Sequence, residues 1–146
     1  MFLGRQSHKM DPKGRLSIPV NHRNDLMASS EKAPILTNLS DCLALYPHDA
    51  FLKIAEELDA KSPFKPETEA YRRFLISGAV ECPFDSQGRI LVPQHLREHA
   101  RLEREVTIAG VGPNIEIWDK TRFDQDNNHT RANFREIASV VASEGN

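Results

Sequence analysis

The sequence predicts an α+β fold in which one small, β-rich unit occurs twice. Three observations carry this. First, Asp11-Pro-Lys-Gly-Arg15-Leu-Ser-Ile-Pro19 returns as Asp85-Ser-Gln-Gly-Arg89-Ile-Leu-Val-Pro93. Second, at that same offset the identities fall on turn and boundary positions: Gly4/Gly78, Asp11/Asp85, Gly14/Gly88, Arg15/Arg89, Pro19/Pro93 and Arg23/Arg97. Apolar positions match only in kind, Leu16 with Ile90 and Ile18 with Val92. Special backbone conformations tolerate the fewest residue types, so a duplicated fold leaves this trace. Third, Leu43, Leu45, Tyr46 and Phe51 match Ile115, Ile117, Trp118 and Phe123, as they would if the second unit's loops were slightly shorter.

The elements follow in chain order. Residues 2–10 read as a strand of poor alternation. The turn Asp11 to Gly14 comes next: Asp accepts from a backbone N–H two residues on, Pro12 fixes φ, and Gly14 can take positive φ. Leu16 and Ile18 then share one strand face, with Arg15 and Ser17 opposite. Pro19 ends the strand and suits the first turn of a short helix over 20–29. Strands follow at 34–38 and 42–46, joined at Ser40-Asp41, then a helix over 48–60 with Phe51, Ile54, Ala55 and Leu58 at helical spacing. Lys61-Ser-Pro-Phe-Lys-Pro66 is the one linker-like stretch, since its two prolines break a helix. Thr68–Ser77 reads as helix with Tyr71, Phe74 and Leu75 on one stripe. The second unit begins near Ile76. A helix is expected over 121–142, broken at the polar stretch Asp124–Asn128, with a stripe of Phe134, Ile137, Val140 and Val141 and frayed final residues. The organisation is therefore a first repeat over 1–60, linker and helix over 61–75, a second repeat over 76–120, and a C-terminal helix over 121–146.

Length and composition set bounds. The chain has 146 residues, 39% of them hydrophobic, which suits one domain or two very small ones. Separate 70-residue halves would each be marginal, so the halves are expected to pack together or the chain to oligomerise. No apolar run nears the roughly 18 residues of a membrane span, and the start, Met-Phe-Leu-Gly-Arg, has no apolar signal region. Cys42 and Cys82 are too few for a disulfide framework and read as small core residues. Together these point to the cytoplasm. The formal net charge is −2, unlike a generic nucleic-acid binder. The distribution is uneven, however. In 1–25, Arg5, Lys9, Lys13, Arg15 and Arg23 outnumber Asp11 and Asp25; in 49–70, six acids face three lysines. A local anion-binding face on an acidic body would look like this.

An Asp-x-x-Gly turn needs no function, and an Arg beside it can pair with its own Asp to lock it. The functional alternative is an anion contact, a phosphate or a guanine edge, which the planar fork of Arg15 and Arg89 suits. Lys9 and Lys13 flank the first turn and add phosphate-binding charge. Pro83 and Gln87 stand in those places at the second, so the first should supply more electrostatic affinity.

These residues carry a resemblance to the MraZ family of bacterial regulators. It rests on the opening Met-Phe-x-Gly, both Asp-x-x-Gly-Arg turns, Arg72-Arg73-Phe-Leu-Ile-Ser-Gly-Ala79, Leu45-Tyr46-Pro47 and Ile117-Trp118-Asp119, and it runs nearly end to end. The resemblance implies an AbrB-like double swapped-hairpin β-barrel with attached helices. It implies ring-shaped homo-oligomers, nucleoid association, and repression of the division and cell-wall gene cluster through short direct repeats in double-stranded DNA upstream of its own operon. It carries a DNA-binding role onto Arg15 and Arg89, and onto Lys13 in the first turn; Gln87 departs from it in the second. Lys9 and Arg5 join the candidates on local charge. Asp11, Gly14, Asp85 and Gly88 set turn geometry.

Other functions are less well supported. His95 and His99, with Glu103 a turn further, have the spacing of a metal pair. The preferred reading is two solvated histidines on a short surface helix, because no further ligand motif supports them. No nucleophile elbow or phosphate loop is present, so no catalytic residue, metal or cofactor is expected. An antitoxin-like interaction module on the same fold is the second alternative. Phe74, Leu75, Phe123 and Phe134 are expected to pack on the barrel or between subunits, Trp118 to be buried at a strand end, and Arg72 and Arg73 to lie on a solvated or inter-subunit face.

Overall fold

The computed structural model of the chain describes residues 1–61 and 64–145. Eight strands and six helices are present among them. In the first half these are β1 (Arg5–Lys9), β2 (Arg15–Ser17), α1 (Val20–Leu26), β3 (Ile35–Asn38), β4 (Leu43–Tyr46), α2 (His48–Asp59) and α3 (Pro66–Ser77). In the second they are β5 (Val80–Glu81), β6 (Arg89–Leu91), α4 (Gln94–His99), β7 (Glu105–Gly110), β8 (Ile115–Asp119), α5 (Lys120–Ala132) and α6 (Phe134–Glu144).

The strands of the two halves interleave. One six-stranded sheet runs β1-β7-β8-β4-β3-β5, and a two-stranded ribbon pairs β2 with β6. All pairs are antiparallel. β1 takes its only partner, β7, from the second half, and β5 takes its only partner, β3, from the first. β4 and β8 join the halves at the sheet centre, with Leu43 opposite Ile117 and Leu45 opposite Ile115.

Both halves therefore fill one core. Leu16 and Ile90 face each other in the ribbon and are fully buried. They pack in one cluster with Leu26, Leu36, Leu43, Leu45, Val92, Leu96, Val106, Ile108, Ile115 and Ile117. A core shared this way lifts the size limit that a separate 70-residue unit would meet. Alternation along β3 sends Leu36 into this cluster and Ile35 into a second one, with Phe51, Leu58 and Leu75 beneath α2 and α3. Thr37 donates from Oγ1 to the Leu75 carbonyl at 2.6 Å, tying α3 to the sheet.

The differences from expectation have local causes. The helices α1, α2 and α4 each start behind a proline at the N-cap (Pro19, Pro47, Pro93), whose extended backbone has ψ near 150°, one position before the first helical residue. The C-terminal helix breaks at Asn133, not at Asp124–Asn128. That polar stretch faces solvent and a Lys120–Asp124 pair at 3.3 Å supports it, whereas Asn133 turns its side chain back to the His129 carbonyl at 2.8 Å and competes with the helical ladder. Helix α6 reaches Glu144, beyond the expected fraying point, and Asn146 lies outside the described residues. Of the expected linker, Ser62 and Pro63 also lie outside them. Leu75 is buried; Phe74 and Phe134 are exposed in the single chain, as the inter-subunit alternative allows; and Trp118, expected buried, is half-buried against Phe123.

The interleaving has a consequence for truncation. A chain ending at residue 74 lacks β5, β6 and β7, so no single copy can complete its own sheet. Any cooperative thermal transition it shows is expected to move up with protein concentration, because only a second copy can put its own matching strands in the places of the missing ones. A concentration-independent transition would be incompatible with the pairing described.

Candidate functional site: two clamped turns

Each turn is a three-residue hairpin loop closed by a left-handed glycine. One backbone bond closes each turn: Asp11 N–H donates to Arg15 O at 3.0 Å and Asp85 N–H to Arg89 O at 2.9 Å. Gly14 N–H donates back to Asp11 O and Gly88 N–H to Asp85 O, both at 3.0 Å. Gly14 has φ +92° and Gly88 φ +75°, which an L side chain rarely adopts.

The aspartates do the rest. Oδ1 of Asp11 accepts from the backbone N–H of Lys13 at 3.0 Å and of Arg15 at 2.8 Å, and Oδ2 accepts from Arg15 Nε at 2.5 Å. Oδ1 of Asp85 accepts from Gln87 and Arg89 N–H, both at 2.9 Å, and Oδ2 from Arg89 Nε at 2.8 Å. The structural reading of each Arg is thus correct as far as it goes. It does not exhaust the guanidinium, because Nε is the engaged nitrogen and the two terminal amino groups remain to fork onto an acceptor. The carboxylate fixes the direction of that fork.

The other half of the chain seats each turn. Gly14 O accepts from Val92 N–H at 2.8 Å, and Gly88 O accepts from Ile18 N–H at 3.2 Å. Arg97 lies over Gly14, where an added Cβ would meet Val92 O at 2.6 Å; Arg23 covers Gly88 in the same way. Arg97 donates from Nε to Val92 O at 3.0 Å. Sequence reasoning gave Arg23 and Arg97 no part in the site. Their one available signal was that they match each other across the two halves.

The ribbon places Arg15, Ser17, Arg89 and Leu91 on its outer face, with Arg15 opposite Leu91 and Arg89 opposite Ser17. The two arginines therefore sit diagonally on one surface. The Arg15 side chain is 40% exposed and that of Arg89 is 25% exposed. Lys13 stands exposed at the first turn, and Lys9 at the end of β1 lies beside it. Arg5 is not brought there: it lies at the far end of β1 with its guanidinium 5.8 Å from the centroid of the Phe123 ring. There it stays exposed while lying over an aromatic ring.

On α4 His95 is exposed and His99 half-buried, and neither ring is wholly given to solvent. His99 Nε2 meets the Leu39 carbonyl at 2.6 Å and His95 Nε2 the Gly78 carbonyl at 3.2 Å. The two rings tie α4 to the residue after α3 and to the turn after β3. Among the described residues no group of three or more His, Cys, Asp or Glu gathers as a metal site. Cys42 and Cys82 are buried free thiols, and burial pushes the Cys82 thiol up to about 12. No helix among the described residues is long and apolar enough to cross a membrane.

The family model described as "MraZ protein, putative antitoxin-like" matches residues 1–74 and again 75–141. The chain belongs to the MraZ family. Similar relatives include three proteins named transcriptional regulator MraZ. That of Heliobacterium modesticaldum is 41% identical over 97% of this chain and 96% of its own length. That of Caldanaerobacter subterraneus subsp. tengcongensis is 41% identical over 94% of each, and that of Syntrophobacter fumaroxidans 39% over 99% of this chain and 96% of its own. Both MraZ matches contain one Asp-x-x-Gly-Arg turn, so the two clamped turns of this MraZ-family chain fall one to each match.

Bonds from backbone N–H groups, that of the turn Arg foremost, and then from the Arg side chain hold both carboxyls below their ordinary value of 3.8. A lowered folded value contributes stability above pH 3.8, and the contribution is lost as pH falls through the lowered value. Replacing both residues, Asp11→Asn with Asp85→Asn, is therefore expected to lower the denaturation midpoint at neutral pH, with the gap to wild type narrowing below about pH 4. An equal gap in strong acid would place the effect elsewhere than on the charged carboxyls.

Proposed function

We propose that this chain is a sequence-specific DNA-binding transcriptional repressor of the bacterial division and cell-wall gene cluster, its own promoter included. It works in the cytoplasm, on the nucleoid, as a ring-shaped homo-oligomer on short direct repeats in its operator. Its architecture is read as a double swapped-hairpin barrel with AbrB-like repeats at 1–60 and 76–120, the linker and helix at 61–75 between them, and the C-terminal helix at 121–146. The interleaved strand order is the support for that architecture.

One observation carries the DNA assignment. Two turns of the same construction present an arginine whose fork is aimed by its own aspartate, on one face of one ribbon. Such a fork fits the O6 and N7 acceptors of guanine or a phosphate. Arg15 and Arg89 are the base-reading candidates. Lys13 and Lys9 act on phosphates beside the first turn. Arg5 is left to its packing on Phe123. The family membership and the relatives named transcriptional regulators support the same reading.

Arg15 is the more exposed arginine and has lysines beside it, whereas Gln87 and Pro83 flank Arg89. Anisotropy titrations with duplex DNA from upstream of the chain's own gene cluster, against a scrambled duplex and over a range of salt, are the test. Arg15→Ala is expected to weaken binding roughly 10–100-fold and Arg89→Ala by less. No preference over the scrambled duplex would rule out the sequence-specific regulator and favour the interaction-module alternative.

Self-assembly has its own support. Helix α6 buries no residue in the chain and exposes Phe134, Val140 and Val141, while a groove of about 610 Å³ between α2 and α3 is lined by Tyr46, Ile54, Leu58, Tyr71 and Leu75. An apolar stripe on one surface and an apolar groove on another suit a head-to-tail contact, which closes into rings. Many weak turns on one ring then bind repeats by effective concentration, which reconciles net acidity with DNA binding. Val140→Asp with Val141→Asp is expected to lower the mass measured by light scattering without loss of helix content. An unchanged mass would exclude this contact.

A further inference from the structure

The clamp that aims Arg15 also cancels its charge. Asp11 and Arg15 together are neutral, as are Asp85 and Arg89, so neither pair by itself attracts a polyanion over distance. The attraction must come from cations around the turns, and these are unevenly distributed.

An open groove of about 1050 Å³ runs from the first turn, where Asp11 and Pro12 form one wall, along α4 and the loop after it. Lys9, Arg97, Arg101 and Arg104 line it, against Glu98 and Glu103 besides the already paired Asp11. Arg97 is engaged with Val92 O. The positions beside the second turn that match Lys9, Gln94, Glu98 and Arg101 hold Pro83, Val20, Asn24 and Met27, so the extra cations belong to one turn alone.

Arg101 carries a second, independent signal. Helix α4 closes with Arg101 N–H donating to Glu98 O at 3.1 Å and Leu102 N–H to Arg97 O at 2.9 Å, the paired bonds of a left-handed helix stop. Glycine usually fills that seat. Here Arg101 does, at φ +54°, and it is the only non-glycine at positive φ among the described residues. A glycine would hold the same stop without steric cost, so what the arginine adds is its side chain in the groove.

We infer that this groove binds the phosphate backbone of duplex DNA beside the first turn, with Arg101, Arg104 and Lys9 as the phosphate contacts. The assignment rests on the DNA-binding reading above and deepens it. The groove is open and continuous with the turn, as a site for an extended strand requires, and phosphate contacts position a protein without reading sequence. The chain is then polar on DNA: one turn is anchored on the backbone beside it and the other is not.

The test uses the full chain with Arg101→Gly, which keeps the helix stop, and Arg104→Gln. Each is expected to reduce the slope of log K against log salt by about 1 and weaken binding to operator and scrambled duplex alike. The preference between the duplexes should hold within about twofold. A double variant with an unchanged slope overturns the groove assignment while leaving operator preference, and so the regulator reading, intact. Loss of preference with an unchanged slope would make these residues sequence readers and overturn it too. Thermal stabilisation of wild type by inorganic phosphate, absent in the double variant and with no slope difference on DNA, would assign the groove to a small anion instead. Failure of wild type to bind DNA at any salt would remove both readings.

Discussion

The turn glycine is the point on which fold and site both depend. Gly14 and Gly88 take a left-handed backbone so that Asp can clamp Arg, and each offers its carbonyl to a strand from the other half. A Cβ on Gly14 would meet the Val92 carbonyl and one on Gly88 the end of the Arg23 side chain, and at both the left-handed φ already disfavours any other residue. The clamp bonds of each turn are local, but its seating on the ribbon comes from the other half. A surface loop would normally be the most mobile part of a small protein. Here it is held on three sides: by its own aspartate, by the opposite strand and by an arginine from the opposite helix.

Holding a cation rigid costs charge, and the acidic chain shows how that cost is divided. The Arg fork supplies direction, and the unpaired lysines and arginines nearby supply long-range attraction. Direction needs burial and a carboxylate partner; attraction needs exposure and no partner. One residue cannot do both well. The first turn has Lys9, Lys13, Arg101 and Arg104 around it, and the second has Arg23 beside its aimed fork. The two halves thus share their construction while differing in surface chemistry.

Much of this could be read from the sequence, for physical reasons. Asp11, Gly14, Pro19 and their matches stood out because few residues satisfy a left-handed turn or a helix start, and the strands at 35–38 and 43–46 because apolar runs bounded by turn residues leave few alternatives. What escaped was tertiary. Nothing local in Arg97 says that it will lie on Gly14, and nothing in His95 and His99 distinguishes a ring bonded to a carbonyl from a solvated one. Polarity alone does not break a helix, so Asp124–Asn128 stays helical, while at Asn133 a side chain competes with the backbone. Arg5 was grouped with the DNA-facing cations by proximity in sequence, although a strand separates it from the turn by its full length.

The interleaved sheet also governs the order of events during synthesis. β1 is made first, yet its only partner, β7, begins at Glu105. At a ribosomal rate of about 5–20 residues per second the first strand waits some seconds with both edges bare. An apolar strand in that position would invite pairing with a neighbouring nascent chain. β1 is Arg-Gln-Ser-His-Lys, mostly exposed even in the finished sheet, where it remains at an edge. Its weak alternation, which made it a poor strand to recognise, makes it a safe strand to leave unpaired: charge at both ends keeps it soluble until its partner emerges.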